Sequence, residues 1–138
     1  MSTDDTRLPP ATVWGTLRAR DAHALIRFLV DTFGFVPTAV HDADDGGVSH
    51  AQLDWPEGGG VMLGSHRADG PWTLEPGTAG LYVVTDRVAE LHQRAVDAGT
   101  EVIRELEATD YDSGTFAIRD PEGNLWSFGS YRGEPRTG

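Results

Sequence analysis

The sequence has no cysteine and few basic residues. Its 138 residues include 11 Lys and Arg against 22 Asp and Glu, which gives a formal net charge of −11. Without cysteine, neither disulfide bonds nor thiolate metal ligands can form. Nucleic acids and anionic membranes bind basic surfaces, so we expect neither as a partner. The same charge favours a cationic ligand, although solubility alone would also explain it.

No apolar run in the sequence is long enough to span a membrane. The first five residues lack the basic and apolar regions of a signal peptide, so we expect a cytoplasmic protein. The three glycines at 58–60 are followed by neither a helix nor a Lys or Thr, which excludes a phosphate-binding loop. The sequence also lacks a nucleophile elbow. These motifs therefore assign no catalytic residue, and we expect no cofactor.

The most informative stretch runs from Asp120 to Ser130 and reads Asp-Pro-Glu-Gly-Asn-Leu-Trp-Ser-Phe-Gly-Ser. Asp, Pro and Gly at its first, second and fourth places are typical of a type I turn. The alternation of bulky and small residues that follows predicts a strand with one apolar face. Taken alone, the stretch predicts only a hairpin.

A second copy of this stretch begins 65 residues earlier, at Pro56. The same offset, without a gap, relates Pro56 to Pro121, Glu57 to Glu122, Gly58 to Gly123, Gly64 to Gly129, Ser65 to Ser130, Asp21 to Asp86, Ala24 to Ala89 and Gly34 to Gly99. Because many of these residues are typical of turns and helix ends, their coincidence at one offset indicates an internal duplication.

Each copy predicts one strand, one helix and then three strands. Asp21 and Asp86 are predicted to cap the helices, and Gly34 and Gly99 to end them. The predicted fold class is α+β, with two tandem βαβββ modules. The predicted boundaries are a disordered arm at 1–11, a first module at 12–66, a linker at 67–78, a second module at 79–131 and a tail at 132–138. Either module alone would bury too little surface, so we expect the modules to pack together and the chain to form a homodimer.

Two βαβββ modules, with Asp-Pro-Glu-Gly-Asn-Leu-Trp at 120–126, resemble the vicinal oxygen chelate superfamily of glyoxalase I, extradiol dioxygenases and bleomycin-resistance proteins. The resemblance covers residues 12–131. It implies mixed sheets that curl around a cavity, with the helices outside. It also implies homodimers in many members, some with modules exchanged between chains.

The metalloenzymes of that family hold a metal with a His or Gln in the first strand and a Glu in the last strand of each module. The resemblance places these four positions at Trp14, Met62, Ala79 and Ser127, or at Gly15 and Gly80 for the first strands if the alignment slips by one. Ser is a poor ligand, Met suits only soft metals, and the other side chains do not ligate. We therefore expect no metal at the family site.

Strand alternation and the repeat together predict which side chains face the cavity. The inward set is Trp14, Thr16, Arg18, His50, Gln52, Met62, Leu81, Val83, Thr115, Ala117 and Ser127. The helix-facing set is Leu17, Ala19, Val61, Leu63, Tyr82, Val84, Phe116, Ile118, Trp126 and Phe128. The inward set mixes aromatic, aliphatic and polar groups, as small-molecule sites do. Trp72 in the linker either closes over the mouth or simply packs, and Tyr111 is expected at the rim.

Three functions remain open. The first is metal-free binding of a small, aromatic and cationic organic molecule, as in the antibiotic-sequestering branch of the family. The second is a glyoxalase-like lyase, isomerase or dioxygenase, in which His50 serves a relocated metal or a metal-free acid–base site. The third is a protein-interaction module with a vestigial cavity. The departure at all four ligand positions favours the first.

Overall fold

The computed structural model describes residues 12–109 and 112–135. The predicted arm at 1–11, Tyr111 and the last three residues of the predicted tail lie outside these ranges. The strands are β1 (Gly15–Ala19), β2 (Val36–Asp42), β3 (Val48–Asp54), β4 (Gly60–Ser65), β5 (Gly80–Val84), β6 (Glu101–Thr109), β7 (Asp112–Arg119) and β8 (Leu125–Gly129). The helices are α1 (Ala22–Phe28), which a π-helical turn (Leu29–Phe33) continues, and α2 (Val88–Asp97). Within the described ranges, neither helix has the length and apolar character needed to cross a bilayer.

The strands form two four-stranded mixed sheets with the same topology. Their orders are β1-β4-β3-β2 and β5-β8-β7-β6. In each sheet the first strand of the module pairs in parallel with the last strand, and the remaining neighbours are antiparallel. The predicted α+β fold of two repeated βαβββ modules is confirmed.

The first helix begins and ends as the sequence predicts. The side chain of Asp21 accepts a hydrogen bond from the backbone N–H of Ala24 at 3.1 Å, which satisfies one of the free amides at the helix start. Gly34 adopts a left-handed conformation with φ of 86° after the π-helical turn. A residue with a side chain rarely adopts that conformation, so glycine ends the helix here.

The second helix begins differently, and the prediction that Asp86 caps it was wrong. Arg87 occupies the N-cap position and makes no side-chain capping bond. The hydroxyl of Thr85 instead accepts a hydrogen bond from the Arg87 N–H at 3.0 Å. The guanidinium of Arg132 lies 2.9 Å from the Asp86 carboxylate. The Asp86 carboxylate thus pairs with Arg132, and the N-terminus of α2 has no side-chain cap.

Aromatic side chains from both modules form one hydrophobic core. Phe33 of the first module stacks on Phe128 of the second, with 4.5 Å between ring centroids. Phe35 contacts Trp55 at 4.9 Å and Trp126 at 5.6 Å. Phe33, Trp126 and Phe128 have no exposed surface. Since either module alone would expose these rings to water, the modules stabilise each other.

The repeated turns tie the modules together in both directions. The two carboxylate oxygens of Glu122 accept hydrogen bonds from the backbone N–H groups of Arg20 at 2.7 Å and Asp21 at 3.0 Å. Its repeat mate Glu57 accepts one from the N–H of Asp86 at 3.3 Å. Each turn therefore holds the chain just before the helix of the other module. We call this arrangement the reciprocal clamp.

The Asp-Pro-Glu-Gly-Asn turn is built around the buried carboxylate of Asp120. One carboxylate oxygen accepts hydrogen bonds from the three backbone N–H groups of residues 122–124, each at 2.9 Å. The other accepts from Asn124 Nδ2 and Trp126 Nε1, also at 2.9 Å. Asn124 in turn accepts from the N–H of Ala79 at 3.1 Å. The motif thus fixes both the turn before β8 and the entry to β5.

Candidate functional site

Each sheet has one face packed on the helices and one face that points away from them, which we call the open face. In the first sheet Leu17 and Leu63 are buried in the core, while Thr16 and Met62 are half-buried and lie opposite each other across β1 and β4. Besides Thr16 and Met62, this open face carries four more of the predicted inward residues: Trp14, Arg18, His50 and Gln52.

The open face of the second sheet carries small side chains on β7 and β8. Thr115 lies opposite Gly129, and Ala117 lies opposite Ser127, across β7 and β8. Phe116, the residue between Thr115 and Ala117, has no exposed surface and belongs to the core. The structure therefore places Thr115, Ala117 and Ser127 on the face where alternation predicts them.

The predicted facing of β5 was wrong. Thr16 pairs with Met62, but the residue that pairs with Ser127, the repeat mate of Met62, is Tyr82 and not Leu81. Because a shift of one residue turns a strand over, Leu81 and Val83 face the core, while Tyr82 and Val84 lie on the open face. The tyrosine hydroxyl explains this preference, since it donates a hydrogen bond to the carbonyl of Tyr131 at 2.8 Å instead of being buried among apolar groups.

A glycine makes room for one large side chain on each open face. A Cβ atom at Gly64 would lie 2.7 Å from Nη1 of Arg18, and a Cβ atom at Gly129 would lie 2.7 Å from the hydroxyl of Tyr82. Both distances are too short for real contacts. The repeated glycines therefore leave two equivalent slots, of which one holds a guanidinium and the other a phenol.

Two of the predicted ligand residues line a cavity of about 330 Å³ at one end of the first open face, which we call the Trp14 cavity. The lining residues are Trp14, Gln52, Asp54, Trp55, Pro56, Gly58 and Gly59. The Trp14 ring lies against Gly60, where a Cβ atom would come within 2.9 Å of it. The cavity thus has one flat aromatic wall and a polar wall from β3.

Asp54 supplies the negative charge of the Trp14 cavity. Its carboxylate accepts hydrogen bonds from the Gln52 amide at 3.0 Å and from the hydroxyl of Thr38. A carboxylate can accept about four hydrogen bonds, so this one retains capacity for a ligand donor. Asp54 is not in the predicted inward set, although the alternation that selects His50 and Gln52 leads directly to it.

Arg18 and Trp72 line a smaller cavity of about 130 Å³ at the other end of β1, which we call the Arg18 cavity. The central carbon of the Arg18 guanidinium lies 5.5 Å from the centre of the Trp72 ring, within the range of a cation–π contact. The remaining lining residues are Ser65, Arg67, Asp69, Gly70 and Pro71. Trp72, which is 55% exposed, thus lies over Arg18.

The structure does not gather all the predicted residues in one cavity. Leu81 lines a third cavity, of about 290 Å³, where Trp55 of the first module approaches β5 and Trp126 of the second. Six predicted inward residues lie on the open faces but line none of these three cavities: Thr16, His50, Met62, Thr115, Ala117 and Ser127. Tyr111 lies outside the described residues.

His50 is exposed, and its ring stacks on that of His41 with 6.1 Å between centroids. Within the described residues it has no hydrogen bond to a carboxylate that would orient it as a general base. The two histidines also lack a third ligand, because no group of three or more His, Asp or Glu side chains able to hold a metal occurs in the part of the chain that the structure describes.

The residues at the family's metal positions do not fit a metal ion. Met62 and Ser127 are the last-strand positions, and the side chains opposite them are Thr16 and Tyr82. Neither a thioether with a hydroxyl nor two hydroxyls form a usual site for zinc, nickel, iron or manganese, which prefer imidazole and carboxylate ligands in such enzymes.

A family model for the glyoxalase/bleomycin resistance protein/dioxygenase superfamily matches residues 11–128. The chain therefore belongs to this superfamily, as its two βαβββ modules and its Asp120 turn already indicate. The sequence matches no curated protein significantly.

Solved structures of the same fold cover nearly the whole chain. TioX from Micromonospora sp. ML1 is 24% identical, with a TM-score of 0.67, over 86% of this chain and 97% of that one. TnmS3, an antibiotic binding protein from Streptomyces sp. CB03234, is 23% identical, with a TM-score of 0.66, over 89% and 98%. FosX, a fosfomycin resistance protein from Listeria monocytogenes, is 14% identical, with a TM-score of 0.63, over 94% and 97%. At these identities the likeness shows the fold alone.

Proposed function

We propose that this protein binds a small aromatic cation in the Trp14 cavity and holds it without chemical change. The observation that carries the proposal is that Trp14, Gln52 and Asp54 line one cavity on the open face. An indole face attracts a planar or cationic group, and the adjacent carboxylate neutralises the positive charge. The net charge of −11 also raises the local concentration of cations, an effect that salt weakens.

Sequestration is supported better than catalysis by the residues on the open faces. The family's metal positions hold no suitable ligands, and His50 lacks an orienting carboxylate among the described residues. TnmS3 is an antibiotic binding protein of the same fold, which makes an antibiotic a reasonable ligand class for this chain. In this proposal the protein contributes to drug tolerance by lowering the free concentration of the drug.

A homodimer forms part of the proposal. His50 is exposed, and Thr16, Met62, Thr115 and Ser127 are only partly buried. A second chain laid over the open faces would enclose these residues together with the ligand. Light scattering at micromolar concentration tests this point, and a monomer there would contradict it.

Binding is tested by calorimetric titration with a panel of planar aromatic amines and bleomycin, each simple amine being paired with its neutral alcohol analogue. Trp14→Ala should weaken binding of the amines by about 1–3 kcal/mol, the usual cost of losing a buried aromatic contact. Trp14→Phe should retain part of the affinity. Asp54→Asn should weaken the binding of the amines but not that of the alcohols, because the substitution removes the negative charge of the side chain and keeps its shape.

Asp44→Asn is the matched control for charge, since Asp44 is exposed in the turn between β2 and β3 and does not line the Trp14 cavity. It should leave the affinity unchanged. Equal binding by the wild type and Trp14→Ala would place the ligand elsewhere. Formation of product at a rate that depends on His50 would show that the protein is an enzyme instead.

The absence of a metal site is tested separately. Elemental analysis after dialysis against zinc, nickel, iron and manganese should find far less than one ion per chain. Near-stoichiometric metal that His50→Ala abolishes would support the relocated metal site and overturn the metal-free proposal.

A further inference from the structure

Arg18 carries a positive charge for which the described chain provides no acidic partner. Two other arginines nearby do have acidic partners. Arg20, two residues further along the chain, lies 3.9 Å from Glu75, and Arg67, which lines the same cavity as Arg18, lies 3.7 Å from Asp45. Within the described residues, Arg18 forms no ion pair, and its buried Nε atom has no hydrogen-bond partner. In a chain with twice as many acidic as basic residues, an unpaired arginine on a half-buried face is unexpected.

The surroundings hold the guanidinium in place without neutralising it. Trp72 stacks against it at 5.5 Å, and Gly64 leaves the space through which it extends. Ser65 lines the same cavity, but its hydroxyl accepts a hydrogen bond from the Val48 N–H at 2.8 Å and lies on the opposite face of β4 from Gly64. The guanidinium of Arg18 is therefore a hydrogen-bond donor that the Arg18 cavity holds without an acidic partner among the described residues.

We propose that the Arg18 cavity binds an oxyanion group, a carboxylate or a phosphate-type group, carried by the ligand. The planar fork of an arginine binds such groups through two parallel hydrogen bonds. The volume of about 130 Å³ corresponds to about four water molecules, which is enough room for one carboxylate or phosphate-type group. The exposed Asp69 also lines the cavity, and its negative charge reduces the attraction of the cavity for an anion.

This inference rests on the proposed function, because it treats the two cavities as ends of one ligand surface. Trp14, directly before β1, and Arg18, within it, are four residues apart and lie on the same face, which separates them by about 13 Å along the chain direction. A ligand that fills both cavities would carry an aromatic cation at one end and an acidic group at the other. The inferred ligand class is therefore an elongated zwitterion rather than a simple cation.

The test uses probes that carry no cation, so that it does not depend on the Trp14 cavity. Phenylacetate and phenylphosphonate represent the two oxyanion types, and phenylacetamide is the neutral control. Calorimetric titrations at constant ionic strength should show binding of at least one anion and none of the amide. Arg18→Gln should weaken the anion by about ten- to a hundred-fold, as expected for the loss of charge-assisted hydrogen bonds.

Arg20→Gln is the matched control, because it removes the same charge two residues further along and its side chain does not line the Arg18 cavity. Gly64→Ala is the second variant, because its Cβ atom would displace the guanidinium while the net charge stays the same. Gly64→Ala should weaken the binding of the anion as well. Thermal unfolding of each variant establishes that it is folded. Arg18→Lys keeps the charge but loses the fork, so it should recover only part of the affinity.

Unchanged anion affinity in Arg18→Gln, or an equal loss in Arg20→Gln, would overturn the inference, since the anion would then bind elsewhere or through diffuse charge. If the amine panel fails to bind but the anions depend on Arg18, the Trp14 proposal is wrong and the oxyanion site stands. If the amines bind in a way that depends on Trp14 while neither anion binds, the oxyanion site is wrong and the Trp14 proposal stands.

Discussion

In the reciprocal clamp, the hydrogen bonds of Glu122 predict how much this side chain contributes to the free energy of unfolding. Glu122 uses both carboxylate oxygens, with bonds of 2.7 and 3.0 Å to the N–H groups of Arg20 and Asp21. Each such bond contributes about 1 kcal/mol net in a partly exposed setting, and both N–H groups lie directly before a helix, where negative charge is favourable. Glu122→Ala should therefore lower the free energy of unfolding by about 2 kcal/mol.

Glu122→Gln refines this estimate. The amide keeps one acceptor oxygen but turns an NH₂ group towards the second backbone N–H, so it should lose more than half of the stabilisation. Glu57→Ala is the matched control, since Glu57 has the same place in the other module but makes a single bond of 3.3 Å. Its loss should be clearly smaller than that of Glu122→Ala.

The assay is equilibrium unfolding in urea, followed by tryptophan fluorescence and by circular dichroism. For a chain of this length a loss of about 2 kcal/mol corresponds to a decrease in Tm of roughly 5–10 °C. Equal losses for the two alanine variants, or a larger loss for Glu57→Ala, would refute the reasoning from the number and length of the bonds. A loss of only a few tenths of a kcal/mol for Glu122→Ala would show that water replaces the carboxylate at little cost.

Two further predictions concern stability. Asp120→Asn should lower the free energy of unfolding by about 3 kcal/mol or more, because a buried amide cannot accept all five hydrogen bonds that the carboxylate receives; a loss below 1 kcal/mol in urea unfolding would contradict this. Gly129→Ala should cost about 1–2 kcal/mol, because its Cβ atom would lie 2.7 Å from the Tyr82 hydroxyl and 2.9 Å from Thr115 Oγ1. In a double-mutant cycle, Tyr82→Ala should reduce that cost, and strict additivity would show that the tyrosine does not occupy the slot.

The sequence predicted the fold well because its signals are local and repeated. Turn residues such as Pro56 and Pro121 recur at one offset with helix caps and strand alternation, and each of these patterns depends on a few neighbouring residues. The same reasoning failed at Asp86, whose carboxylate pairs with Arg132, beyond the end of β8, and does not cap α2. A pairing across 46 positions leaves no trace in a local pattern.

The site was less predictable than the fold. The repeat assigns Leu81 to the position of Thr16, but the register between β5 and β8 differs by one residue from that between β1 and β4. Sequence identity at turns does not fix strand register, because the pairing depends on which side chains the core accepts. The separation of Trp14 and Arg18 into two cavities likewise depends on how the residues after β4 fold back, and no periodicity predicts it.

The reciprocal clamp suggests how a chain with two such modules can arise from a single module. Since each module supplies the carboxylate that the other one needs, a single module could in principle satisfy itself by pairing with an identical copy. The present chain then amounts to such a pair joined by the stretch between Ser65 and Gly80. A short tether holds its two ends at an effective concentration on the order of millimolar, so a weak association becomes a permanent one. Once the pair is covalent, the two copies are free to diverge, and one glycine slot can keep an arginine while the other takes a tyrosine.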